Sequence, residues 1–286
     1  HVPDLGEAED FFARVFGRPS VRLSTMFDRT VSRGGVPDHS TFTLIGDVLV
    51  DSIDPRRYLV GGRQCYPDVV RPRLRGIGWY VEGVEALYRK LLAMGVDLVD
   101  QLDVAVGGDD PPTAVGSAMP LFFTIASDAG LRHELVPRFA FPLDPRCEPG
   151  WTLPPPSPDD PLGIVRCANH TVVTADPQRA KRLLVDAFGG TVVHQGRDDL
   201  PAASVTSIAV ADAVVRLVVP DPPAQVSAAE DEYSSIAWLV VDLDRVEAHL
   251  HSQGVGIAVR TATSIVADPD TSLGIPWEFT AAAPHS

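Results

Sequence analysis

The chain has 286 residues and carries 24 Lys and Arg against 38 Asp and Glu, a formal charge of −14. Its length suits two ordinary domains or one large one, and 45% apolar with 22% charged residues is the composition of a soluble globular protein. No apolar run approaches the ~20 residues of a membrane helix, and no basic-then-apolar leader opens the chain. The acidic balance argues against nucleic acid, whose phosphates call for clustered Lys and Arg. The expected partner is therefore a small molecule, with no nucleic acid and no membrane, and the expected location is cytoplasmic. Cys65, Cys147 and Cys167 are odd in number and lack CxxC spacing, so neither a disulfide framework nor a thiolate zinc site is expected.

In chain order, Asp4 stands where a helix N-cap belongs, Phe11, Phe12, Val15 and Phe16 recur at helical spacing, and Gly17 closes the helix. Strand-like runs follow at 41–53 and 76–81; a helix at 84–94 ends at Gly95, and strands return at 120–125 and 131–136. Nine prolines fall in the 25 residues from Pro137 to Pro161. Such a stretch favours extended chain, so 139–161 is read as a linker anchored by Phe139, Phe141 and Trp151, between domains at 1–138 and 162–286. Beyond it, His170 to Thr174 reads as a strand and Asp176 to Gly189 as a capped helix. Residues 205–219 read as strand, as do 235–240; a helix spans 243–253, and 277–280 is a final strand.

The halves resemble each other. Asp4-Leu5-Gly6-Glu7-Ala8 with its Phe16-Gly17 ending returns 172 positions later as Asp176-Pro177-Gln178-Arg179-Ala180 with Phe188-Gly189. Gly76-Ile77-Gly78-Trp79-Tyr80-Val81 returns 159 positions later as Ser235-Ile236-Ala237-Trp238-Leu239-Val240. A strand–helix–strands unit of about 65–75 residues is thus used four times.

These motifs, in this order, resemble the vicinal oxygen chelate superfamily, which includes glyoxalase I, bleomycin-resistance proteins and extradiol dioxygenases. The resemblance implies an α+β fold of four βαβββ modules, paired into two glyoxalase- or extradiol dioxygenase-like domains whose curved sheets enclose cups. It also implies metal ligands on the first and last strands of a module, facing the cup. In the C-terminal half those positions fall on His170, Arg216, Ser235 and Glu278, so only His170 and Glu278 are of ligand type. In the N-terminal half they fall on Asp51, Gly76 and Glu134, the first-strand position lying before His1. The metal-binding residues so implied are His170, Glu278, Asp51 and Glu134. The implied cofactor is a divalent ion (Fe, Mn, Zn or Ni), which an Arg216 in the same cup would repel. His194, on the strand after the helix, is a further candidate ligand.

Strand alternation adds its own readings. Arg132 shares the face of Glu134, so an ion pair is an equal alternative to a metal there. Tyr80 is cup-facing and a candidate for substrate contact, whereas Trp79 and Trp238 face their covering helices. Gly76 and Gly78 remove bulk and would enlarge the cup. Gly107 to Pro112 is a polar turn with no Lys to cradle phosphate, and His249 and His251 are surface groups on the last helix. Two functions are expected. One is a metal-dependent dioxygenase-like, lyase or isomerase activity on an oxygen-bearing organic compound, with Glu278, Arg216 and Tyr80 in the catalytic site and Arg216 holding an anionic group. The other is metal-free sequestration of a small molecule. Modules pair within or between chains in this family, which leaves a homodimer open.

Overall fold

The computed structural model describes residues 1–26, 38–138, 144–199, 202–221 and 230–281, with the backbone alone at 198 and 199. The fold is α+β and is built on the expected βαβββ repeat. In the second, third and fourth modules the first strand lies parallel beside the last: Gly76–Val81 with Arg132–Pro137, Ile164–Val173 with Ala213–Pro220, and Glu232–Val240 with Glu278–Thr280. In the first module the same relation survives as the Val2 N–H donating to the Ile53 carbonyl at 2.8 Å.

A three-stranded sheet runs Ser20–Arg22, Ser40–Ile45, Val48–Ile53, and a four-stranded sheet runs Gly76–Val81, Arg132–Pro137, Phe122–Thr124, Leu98–Val99. An eight-stranded sheet has the order Thr191–Asp199, Ala202–Val210, Ala213–Pro220, Ile164–Val173, Glu232–Val240, Glu278–Thr280, Ser264–Ala267, Ile257–Arg260. Its two outermost strands each carry an irregular register, between Val192 and His194 and between Ile257 and Val259. Two of the long runs read from sequence are hairpins. Residues 41–53 turn at Gly46, whose φ of 57° needs glycine, and 205–219 turn at Ala211, a non-glycine at φ 51°.

The first helix and its repeat start where their caps predict, and a third Asp caps the last helix. Asp4 Oδ1 accepts from the Glu7 N–H at 3.0 Å, Asp176 Oδ1 from Gln178, and Asp242 Oδ1 from Asp244 and Arg245. Each cap contributes about 1 kcal/mol. Both repeats of the first helix then widen into π turns, Phe12–Phe16 after Leu5–Phe11 and Arg182–Ala187 after Pro177–Lys181. The wider turn brings Phe11, Phe12, Val15 and Phe16 all into the core.

Contact density gathers the described residues into two units that differ from the sequential halves read above. One holds residues from 1–74, 144–169 and 235–281, the other residues from 75–138 and 170–234. In the first, Phe16 packs edge-on to Trp277 at 5.2 Å and to Trp238 at 6.1 Å, and both indoles are fully buried. In the second, Tyr88 and Leu91 of the Val84–Ala93 helix pack with Phe122, Leu135, Leu183 and Ala187, and Trp79 packs against this cluster. Trp79 and Trp238 are therefore core residues, as their strand parity predicts.

The proline-rich stretch is bound, not loose. Of its expected anchors, Phe139 and Phe141 lie outside the described residues and Trp151 is only half-buried. Among the described residues it is held by ionic contacts: buried Asp144 pairs with Arg146, whose Nη1 donates to the Asp47 carbonyl at 3.0 Å, and buried Asp160 pairs with Arg18. Removing Arg146 or Arg18 would strand a desolvated carboxylate.

Candidate functional site

The Gly76–Val81 and Arg132–Pro137 pairing sets Gly76 level with Arg132, Gly78 with Glu134 and Tyr80 with Val136. Phe123 is level with Glu134 from the other side. Partners in a ladder project to the same face, so Glu134, Arg132, Tyr80 and Phe123 share one surface of the second unit. The Arg132 guanidinium lies over the Phe123 ring, 4.1 Å from its centroid, and also pairs with Asp103. Burial pushes the Glu134 carboxyl up to about 7, against the downward pull of Arg132.

The two glycines of this face differ from expectation in one case and agree in the other. A Cβ on Gly78 would meet nothing within 4 Å, so the face is open there, but a Cβ on Gly76 would stand 2.2 Å from the Arg132 carbonyl oxygen. Gly76 serves close strand approach and does not enlarge a cup. Accordingly, Gly76→Ala is expected to lose about 1–3 kcal/mol through forced backbone shifts. Gly78→Leu should keep its stability or gain up to ~1 kcal/mol, while filling the space in front of Glu134. Urea unfolding of the two variants measures this contrast; equal losses would mean that the face is closed at both positions.

The opposite face of the same strands holds His133. Its Nδ1 accepts from Trp79 Nε1 at 3.0 Å, Phe188 meets both rings, and burial drives its pKa down to about 3. A neutral imidazole in this setting is a structural acceptor for the indole.

His170 is buried and forms a 2.5 Å hydrogen bond through Nδ1 with the phenol oxygen of Tyr233. Burial lowers its pKa to about 4, with the Asp212 carboxylate opposing. Tyr233 escaped the sequence reading because that strand was begun at Ser235; the strand in fact starts at Glu232, and alternation puts Tyr233 and Ser235 on one side of it. Arg216 corrects the sequence reading. The ladder sets His170 level with Val215, and Arg216 level with Thr171, so Arg216 projects from the face opposite His170. The expected meeting of His170 and Arg216 in one cup does not occur.

Glu278 is half-buried and level with Ala237, which puts it on the Ser235 face of its own ladder. Asp51 is exposed and level with Phe42, and His194 is half-buried on an outermost strand. His170 and Glu134 belong to one unit, Asp51 and Glu278 to the other, so neither unit by itself assembles an expected pair. Among the described residues no three His, Cys, Asp or Glu side chains converge as a metal-holding group. Ser235 and Gly76 supply no imidazole where one is needed, and Val215 supplies no carboxylate level with His170. The residues present do not fit a centre of three protein ligands.

No family model matches the chain, and no curated protein matches it. Among solved structures, a triple mutant of 4-hydroxymandelate synthase from Streptomyces coelicolor matches with a TM-score of 0.59 at 15% identity, over 97% of this chain and 89% of that one. The chain shares the two-domain α+β fold of that structure. The likeness of fold runs through all four modules, since the match spans nearly the whole chain. Methylmalonyl-CoA epimerase from Mycobacterium tuberculosis, at 21% identity, covers 43% of this chain and 91% of its own with a TM-score of 0.38. No described helix is long and apolar enough to cross a membrane.

Proposed function

We propose that the protein is a small-molecule enzyme of the vicinal oxygen chelate type, in which Glu134 moves a proton on an oxygen-bearing organic compound. The reaction class is isomerase or lyase. The observation that carries this reading is the open face at Gly78, where Glu134 stands between Phe123 and the strand bearing Tyr80. A carboxyl held near 7 gives up and recovers a proton at little cost around neutral pH, as a general base or acid requires. Arg132 supplies positive potential beside it, which favours a substrate that develops negative charge on oxygen. Tyr80 provides aromatic surface for the carbon skeleton, while buried Phe123 backs the Arg132 guanidinium. Arg216, His170 and Glu278 have no part in this step.

The test is solvent exchange. Incubated in D2O with a panel of 2-oxo and 2-hydroxy acids and phenols, the protein should wash deuterium into a carbon-bound position of one class, read by proton NMR. Glu134→Gln should slow that exchange by at least ~100-fold, and Tyr80→Phe should raise KM more than it lowers kcat. Exchange should survive EDTA; its loss on chelation and return with Fe, Mn, Zn or Ni would restore the metal-dependent reading. Saturable binding with no exchange in any class would favour sequestration, a reading supported by the same open, aromatic-lined face.

A further inference from the structure

An open depression of about 580 Å³ lies in the other unit, lined by Asp4, Leu5, Gly6, Arg22, Asp54, Arg56 and Arg57. Its volume is within the range of small-ligand sites. Three of the chain's 24 Lys and Arg meet there, in a protein whose formal charge is −14. The three guanidinium groups are differently engaged. Arg56 grips the buried Asp54 carboxylate through Nε at 3.0 Å and Nη2 at 3.1 Å, and Nη2 also donates to the Pro3 carbonyl. Arg22 pairs with Glu9 through Nε and through Nη2, the latter at 2.7 Å. Among the described residues Arg57 makes only long contacts, 3.6 Å from Nε to Asp54 and 3.5 Å from Nη1 to the Asp38 carbonyl, and its side chain is 55% exposed. Distances of that length carry little hydrogen-bond energy, so this fork can turn to a new acceptor without breaking a good one.

Three guanidinium groups face two lining carboxylates, Asp4 and Asp54. With Glu9 beside Arg22 the local charges balance, but Asp54 is already engaged by Arg56 and Glu9 by Arg22, which leaves Arg57 as the weakly held cation. We propose that this depression binds a small oxyanion, a carboxylate or phosphate group carried on an organic molecule, with Arg57 as the principal donor and Arg22 and Arg56 shaping the potential. A planar fork meeting two oxygens is the geometry in which Arg outperforms Lys. The proposal is independent of the chemistry assigned to Glu134.

The full chain, titrated at constant ionic strength with inorganic phosphate or with acetate, tests it by NMR of the arginine Nε–H signals. A saturable shift at Arg57, with a dissociation constant of roughly 1–10 mM for so small a probe, is expected. Arg57→Ala should weaken binding about tenfold and Arg57→Lys nearly as much, because a point charge replaces the fork. Arg197→Ala, which removes an exposed guanidinium paired with Asp221, should leave binding unchanged. Saturation by phosphate alone assigns a phosphate, and by acetate alone a carboxylate. Shifts that grow linearly with both probes, or equal weakening in Arg197→Ala, overturn the proposal.

Discussion

Glu134→Gln is expected to unfold at a higher urea concentration than the parent chain at pH 8, and at the same concentration at pH 4.5. The sign follows from the raised carboxyl. The unfolded chain releases this proton near 4.5, whereas the folded chain keeps it until about 7. Between those values the folded state binds more protons, so stability falls as pH rises and the loss is complete above 7. The glutamine variant has no such loss. The full shift corresponds to about 3 kcal/mol, and half-burial reduces the expected gain to about 1–3 kcal/mol at pH 8. His133 and His170 act in the opposite direction. Their pKa values are lowered to about 3 and about 4, so their contribution is whole above 6.5 and is lost as the solution is acidified toward those values. Both chains carry these histidines, and the difference between them isolates Glu134. If the two unfolding curves stay parallel from pH 4.5 to 8, the carboxyl is not held protonated, and the proton-transfer reading loses its main physical support.

Phe16→Ala is expected to cost about 4 kcal/mol, the middle of the range for a core aromatic. The ring is fully buried and lies 5.2–6.1 Å from the rings of Phe11, Phe12, Trp238, Trp277 and Phe279. Its removal leaves a void bounded by two stiff indoles that cannot collapse into it. Phe188, its counterpart in the repeat, is only half-buried and meets Trp79 and His133 alone among the described rings. Phe188→Ala should therefore cost less, about 2 kcal/mol. Urea denaturation followed by tryptophan fluorescence reads both losses. A cost below 1 kcal/mol at Phe16, or the reverse ranking, would show that the two helices do not hold the cores as described.

Much of the fold could be read from residues because each module carries local signals. Asp4, Asp176 and Asp242 cap their helices, Gly17, Gly95, Gly189 and Gly254 follow them, and Trp79 and Trp238 mark the buried face of a strand. The π turns could not be read, because Phe11, Phe12, Val15 and Phe16 fit an ordinary helical stripe as well. Nor could the way modules gather into compact units. The apolar faces of repeated modules are alike, and valine, isoleucine and leucine do not encode which neighbour they will meet.

The site was less legible, for a reason of arithmetic. Along a strand one residue of slip exchanges the two faces. Residues 76–81 and 131–136 were bounded well enough for Glu134, Arg132 and Tyr80 to fall on one face together. In Ala213–Pro220 the resemblance put Arg216 in one cup with His170, whereas Val215 occupies that level. Tyr233 was missed through the strand's start, set two residues too late to include it. Pro-rich residues 144–161 show the converse limit. Composition revealed extended chain there, but the buried carboxylates of Asp144 and Asp160, which hold it down, have no periodic signature.

The irregular register between Val192 and His194 bears on how the chain behaves at high concentration. Thr191–Asp199 ends its sheet with Val192 and Val193 exposed, the kind of border onto which a neighbouring molecule can add a strand. A bulge there bends the border and sharpens its twist, so an incoming straight strand finds only a few donors and acceptors in step. Straightening that edge would expose a sticky template for fibrous association.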